Sequence, residues 1–206
     1  MTDRPTILAA GPTCAPITLI LAHGAGAPMD TPFMEKISSG LAAAGIQVLR
    51  FEFPYMIRRR QDGKRRPPDR QRVLLDAWRS VVDAAGIGPI AIGGKSMGGR
   101  MAAMVADEVQ ASALICLGYP FHPLGKPDRL RIEHLRTLTT PTLILQGERD
   151  PLGNQAEVGT FPLAESVRVH WLADGDHDLT PRKRSGRTAD QNLNEAIDEI
   201  AGFLSD

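Results

Sequence analysis

The sequence predicts a three-layer α/β fold, in which about six mainly parallel strands carry helices on both faces. Two observations predict it. Short β-branched apolar runs alternate with longer segments of helical period along the whole chain, and parallel strands need a crossover that a helix supplies. The 206 residues, 42% hydrophobic and 23% charged, suit one compact domain spanning 1–206 with a substantial core. Disorder, collagen-like repeats and a disulfide-built miniprotein are excluded on the same grounds.

Each element has a local cause. Ile17–Ala22 (ITLILA) is a continuous apolar run bounded by Pro16 and His23-Gly24, the pattern of a strand buried on both faces. Thr31 precedes a helix with Pro32 at its first position and Phe33, Met34, Ile37, Leu41 and Ala44 on one stripe; Gly45 closes it. Ile46–Phe53 is the second strand. Asp69 can cap a helix whose Leu74, Trp78, Val81 and Ala85 recur every three or four residues, and Gly86 stops it. Pro89–Gly93, Ser112–Leu117, Thr142–Gln146 and Val167–Leu172 read as the remaining strands. Helices are expected from about Met97 to Asp107 and from Ala189 to Leu204, the latter turning Leu193, Ala196, Ile197, Ile200 and Leu204 inward. The stretch from Gly118 to Thr140 has the weakest periodicity and is the only room for a cap, so the lid is minimal or absent.

In open α/β sheets ligands bind beyond the carboxyl ends of the strands, which directs attention to the residues after each run. After Pro89–Gly93 comes Gly94-Lys95-Ser96-Met97-Gly98, a G-x-S-x-G between a strand and a helix. Such a turn exposes the serine hydroxyl, while its glycines let two backbones approach. A phosphate-binding loop is excluded, because the position five before Gly94 is Pro89 rather than glycine. A serine hydroxyl needs a base, and the base an orienting acid. Asp150 follows Thr142–Gln146, and His177 follows Val167–Leu172. The order Ser96, Asp150, His177 is that of α/β-hydrolases. Glu148 competes for the acid position. Asp174, Asp176 and Asp178 read as solvated loop charge, and a carboxylate adjacent to His177 in sequence points elsewhere. His134 reads as solvated and His170 as a packed or surface histidine. For the oxyanion, the amides of Met97 and of Ala25, in the small-residue loop after the first strand, are the expected donors. His23 and Gly24 in that loop, Tyr55 and Arg58 after the second strand, and His122 in the cap region are the expected substrate-binding residues.

These residues resemble the α/β-hydrolase superfamily across nearly the whole chain. More narrowly, HGAGAPMDTPFM (23–34), FPYMIRRRQDGKRRPPDR (53–70) and GGKSMGGR (93–100) resemble the family of testis-expressed protein 30, to which a domain of the third subunit of the histone-acetylating NSL complex is related; dienelactone hydrolases and small carboxylesterases lie in the wider neighbourhood. The resemblance implies a reduced hydrolase core with little lid. The expected function is a serine hydrolase of the carboxylesterase type acting on small esters or thioesters. Water resolves the acyl-enzyme, so no cofactor is expected. No Cys/His cluster suggests a metal, and Asp30 with Glu35 is too sparse for a cation site. The rival class is a protein-binding module on a hydrolase scaffold, against which the retained triad counts.

Lys plus Arg equals Asp plus Glu, 24 against 24, so the chain has no overall field to draw it to nucleic acid or a membrane surface. The zero is unevenly built. Residues 58–72 and 182–187 together carry a net +10, leaving −10 on the remainder. Both segments follow strand ends. Either they form Arg-rich loops that pair with the acidic remainder, or they make a positive collar that steers anionic esters to the site. Cys14 and Cys116 sit beside apolar runs and read as reduced core thiols. The apolar start from Thr6 to Ala27 is interrupted by Gly11, Pro12 and Pro16, unlike a secretory leader. A cytoplasmic location is the expectation.

Overall fold

Strand runs that are apolar at every position must be covered on both sides, and the alternation of side chains along a strand decides which residue faces which layer. The computed structural model describes residues 6–86 and 88–205. Among them are seven strands: β1 (Ile7–Ala10), β2 (Thr18–Ala22), β3 (Gln47–Phe51), β4 (Ile90–Lys95), β5 (Ala113–Leu117), β6 (Thr142–Gly147) and β7 (Val167–Leu172). Helices α1 (Pro32–Ala43), α2 (Pro54–Asp62), α3 (Gln71–Ala85), α4 (Met97–Ala103), α5 (Gln155–Val158) and α6 (Ala189–Phe203) connect or follow them. The strands form one sheet in the order β1-β3-β2-β4-β5-β6-β7, with all pairings parallel except β1 with β3.

The alternation sorts the core into two layers. Ile20, Ala22, Ile92, Leu114, Cys116 and Ile144 face α2, α3 and α4, packing against Tyr55, Met56, Leu74, Trp78, Val81 and Met101. Their neighbours Leu19, Leu21, Ala91, Ile115, Leu117, Leu143 and Leu145 face α1 and α6, against Met34, Ile37, Leu41, Ala196, Ile197 and Ile200. Right-handed crossovers account for this division. From β2 the chain moves to β3 on one side, with α1 between them. It then crosses back over β2 to β4, so the next helices lie on the opposite face. The sheet order therefore reverses between β2 and β4. At such a switch point the loops leaving two adjacent strands diverge and open a crevice.

Several expectations are corrected. The seventh strand, β1, was not anticipated. It is the apolar run Ile-Leu-Ala-Ala, only four residues long before Gly11 and Pro12, alternately exposed and half-buried, and it lies antiparallel on the sheet edge against β3. The start of the basic segment is the helix α2, with Pro54 in its first turn and Gly63 as a left-handed cap. The helix after Ser96 ends at Ala103 and continues as turns. Cys116 is buried, but Cys14 is exposed. Among the described residues no helix is long and apolar enough to cross a membrane.

The excursion from Gly118 to Thr140 is packed down by Tyr119, Phe121, Ile132 and Leu135, all buried. His134 belongs to this packing and is not a solvated residue. Its Nε2 lies 2.9 Å from the Tyr119 hydroxyl, which itself donates to the Arg131 carbonyl at 2.9 Å. Burial, with the Arg100 charge second, lowers its pKa to about 4. The unfolded chain takes up a proton near its ordinary value of about 6.5, which the folded chain refuses until about pH 4. The stabilisation from the neutral imidazole is therefore complete above pH 6.5, falls between 6.5 and 4, and is absent below. Discounted for its solvent-facing edge, it is on the order of 2 kcal/mol. Urea unfolding should show the wild type losing more stability between neutral pH and pH 4 than His134→Gln loses. Equal losses would exclude His134 as the source.

Candidate active site

The switch-point crevice is lined by the loops that leave β2 and β4. The second of these loops is the turn around Ser96. Here β4 runs straight into α4, and the reversal puts Ser96 at φ 52°, a left-handed conformation costly for a side chain other than glycine. Close packing forces the turn. A Cβ on Gly94 would lie 2.3 Å from the Ala22 carbonyl oxygen, and one on Gly98 would lie 2.6 and 2.7 Å from the carbonyl oxygens of Ala22 and His23. The spacing of the motif thus records an approach of backbone to backbone. Gly98→Ala should destabilise the fold by about 1–3 kcal/mol in urea unfolding. An unchanged midpoint would mean that β2 can yield.

The structure brings Ser96, His177 and Asp150 together although they leave three different strands. The Ser96 hydroxyl lies 2.8 Å from His177 Nε2, and His177 Nδ1 lies 2.7 Å from Asp150 Oδ2. Asp150 is fully buried. Its Oδ1 accepts from the Leu152 amide at 2.8 Å, and its Oδ2 also accepts from Gln146 Nε2 at 2.9 Å. A carboxylate can only accept, so Nδ1 carries the imidazole proton and Nε2 is left to accept from serine. Glu148, the competing acid, instead accepts the Asp174 amide at 2.7 Å. Asp174 is bound to Arg149 and Arg182, and Asp176 accepts the amides of Asp178 and Thr180. These two are loop-shaping carboxylates.

The residues expected to supply the oxyanion donors, Ala25 and Met97, line one cavity with Ser96. Met97 is the first residue of α4, where amides lack intrahelical partners. The Gly24–Ala25 peptide is held by its carbonyl, which accepts from His23 Nδ1 at 2.7 Å and from the Tyr55 hydroxyl at 3.4 Å. The Phe53 amide donates to His23 Nε2 at 3.1 Å, leaving the imidazole proton on Nδ1. Burial lowers the pKa of His23, so it stays neutral and keeps that donor. In a trans peptide the N–H points away from the C=O, so anchoring the carbonyl sets the direction of the Ala25 amide. Tyr55 is buried, and its hydroxyl also donates to the Ala25 carbonyl at 2.9 Å.

Two cavities meet at Ser96. One, of about 630 Å³, is lined by Gly24, Ala25, Phe33, Lys95 and His177; the other, of about 440 Å³, by Ala25, Leu74, Met97, Arg100, Arg131 and Leu152. Gly24 faces the first of them. His23, Tyr55, Arg58 and His122, expected to bind substrate, line neither. His23 and Tyr55 orient the loop beneath them. His122 is buried, with Nδ1 2.9 Å from the Pro123 carbonyl and Nε2 3.4 Å from Glu157. Arg58 is paired with Asp69 at 2.5 Å. Among the described residues, six of the twelve basic side chains in residues 58–72 and 182–187 form ion pairs. Arg60 bridges Asp30 and Glu52, Arg66 pairs with Asp62, and Arg187 with Glu195. Arg59 donates to the Gly26 carbonyl at 3.1 Å.

Two site residues were missed. Lys95, buried at the end of β4, donates from Nζ to the His177 carbonyl at 2.6 Å and pairs with Asp178 at 3.1 Å. It ties the loop bearing the base to the turn bearing the nucleophile. Gln146, buried at the end of β6, binds Asp150 and both polar groups of the Tyr119 backbone. The available signal was a polar residue closing each otherwise apolar strand. Among the described residues no group of His, Cys, Asp and Glu has the arrangement of a metal site.

Comparison with known proteins gives the same fold. An alpha-beta serine hydrolase homologue from Coxiella burnetii superposes with a TM-score of 0.71 at 18% identity, covering 97% of this chain and 98% of that one. A serine hydrolase without lid from Xanthomonas campestris gives 0.68 at 16%, covering 94% and 88%. A dienelactone hydrolase from Anabaena variabilis gives 0.74 at 19%, covering 97% and 90%. The family model described as alpha/beta hydrolase domain matches residues 15–205. The chain belongs to the alpha/beta hydrolase domain family.

Proposed function

We propose that the protein is a serine hydrolase of the carboxylesterase type, cleaving small esters or thioesters through an acyl-enzyme on Ser96. The observation that carries the reading is the unbroken hydrogen-bonded line Ser96–His177–Asp150 at the mouth of two cavities. Ser96 Oγ attacks the substrate carbonyl carbon while His177 Nε2 takes its proton. The carbonyl electron pair moves onto oxygen, where the Met97 and Ala25 amides stabilise it. Asp150 stabilises the imidazolium. The tetrahedral species then collapses, the bond to the alcohol or thiol breaks, and the leaving group receives the proton from Nε2. Water repeats the sequence on the acyl-enzyme and releases the acid, restoring the Ser96 hydroxyl.

Support also comes from the solved relatives called serine hydrolases and dienelactone hydrolase. The narrower kinship with the testis-expressed protein 30 family is proposed on residues 23–34, 53–70 and 93–100 alone, and a cytoplasmic location on the free thiols of Cys14 and Cys116. A fluorophosphonate probe tests the activity. It should label the wild type and not Ser96→Ala, and an acyl-chain series of nitrophenyl esters should define the preferred length. Folded wild type that resists the probe would refute the proposal.

A further inference from the structure

The smaller cavity at Ser96 holds more positive charge than its walls neutralise. Arg100 stands one helical turn beyond Ser96, its amide donating to the Ser96 carbonyl at 3.0 Å. Its Nε is buried without a hydrogen-bond partner, and its Nη2 reaches only Gln71 Oε1 at 3.5 Å. Arg131 enters from the excursion between β5 and β6 and lines the same cavity. Among the described residues, neither guanidinium makes an ion pair. Burial, and after it the Arg100 charge, lowers the pKa of Arg131, as expected for two cations that share a partly dry space. The cavity's one acidic wall residue, Asp69, is paired with Arg58 through Oδ1 at 2.5 Å, and its Oδ2 is buried without a hydrogen-bond partner, so one carboxylate stands against two free guanidinium groups. The remaining walls include Leu74, Met97, Met101 and Leu152.

Two unpaired guanidinium groups facing one cavity are held at an electrostatic cost that an anion between them would remove. Their planar donor forks match the two oxygens of a carboxylate, and the apolar walls suit a short carbon chain between that carboxylate and Ser96. We propose that Arg100 and Arg131 form a carboxylate-binding subsite, so that the preferred substrates are esters of dicarboxylic acids that retain one free carboxylate. The inference rests on the hydrolase reading and names its substrate class. It also places the source of anion preference at two isolated arginines beside Ser96 rather than in the Arg-rich segments, half of whose basic side chains are ion-paired.

Hydrolysis of mono-4-nitrophenyl glutarate and of its neutral counterpart 4-nitrophenyl valerate tests the proposal. The wild type should prefer the anionic ester in kcat/KM by about tenfold or more. Arg131→Gln and, separately, Arg100→Gln should remove that preference while changing the neutral ester about twofold at most, and the exposed neighbour substitution Arg129→Gln should preserve it. Calorimetric titration of Ser96→Ala with glutarate gives a readout free of turnover, and binding should be lost when Arg131→Gln is added. Equal hydrolysis of both esters by the wild type, or no effect of either arginine substitution, overturns the subsite and leaves the hydrolase standing. Absent turnover with Arg131-dependent glutarate binding overturns the hydrolase and leaves the subsite. Inorganic phosphate binding more tightly than glutarate overturns the assignment to carboxylate.

Discussion

Ser96→Ala should lower kcat for a nitrophenyl ester by about 10⁴–10⁶-fold while leaving the fold intact. The size follows from what the hydroxyl does, since without it no acyl-enzyme forms and His177 Nε2 loses the proton donor 2.8 Å away. Residual turnover, about 10³-fold or more over water, would come from the amides of Met97 and Ala25 acting on a water that replaces the hydroxyl. Stability supplies a second readout. Because Ser96 sits at φ 52°, Ser96→Gly should be about 1 kcal/mol more stable than Ser96→Ala while equally inactive. A Ser96→Ala protein that keeps wild-type turnover would exclude Ser96 as nucleophile. Wild-type activity in the glycine variant would do the same.

Asp150→Asn should lower kcat by about 10⁴-fold, and Glu148→Gln by only a few-fold. The difference lies in which group Nδ1 of His177 meets. The Asp150 carboxylate can only accept, which fixes the imidazole proton on Nδ1. An asparagine amide nitrogen at the same 2.7 Å donates instead, which drives the proton to Nε2 and removes the base from Ser96. That nitrogen would also face Gln146 Nε2, another donor, where Asp150 Oδ2 now accepts at 2.9 Å. Turning the amide over moves the conflict to the Leu152 amide, which donates to Oδ1. Thermal melts should therefore show some destabilisation, separable from the loss of turnover by comparison with Asp150→Ala. Among the described residues the Glu148 carboxylate accepts only the Asp174 amide, so a collapse of activity in Glu148→Gln would reassign the acid.

The layers of this fold were legible because the central strands are apolar at nearly every position, and such runs have few other solutions. The triad was legible for a related reason. Once strand ends are located, the sheet brings their loops to one edge, and Ser96, Asp150 and His177 each follow a strand. What escaped was set by packing between segments distant in sequence. β1 is four apolar residues before Gly11 and Pro12, too short to stand out as a strand. Arg100 and Arg131 have the composition of surface residues, and only the folded cavity distinguishes them from the paired arginines of residues 58–72. His23 and Tyr55 were placed in the right neighbourhood but one layer too far forward. Proximity to the oxyanion loop is visible in the sequence, whereas the direction of a ring is not.

The tether from Lys95 to the His177 carbonyl joins residues 82 positions apart, and the bond from His177 to Ser96 spans 81. Contacts of that separation carry a large loop-closure cost until intervening elements are in place, and they form late. Reactivity at Ser96 therefore reports on the docking of β6 and β7 as well as on its own turn. During refolding from denaturant, helical signal should return ahead of probe labelling. The lag between them measures how long the chain exists as an assembled sheet without a working nucleophile.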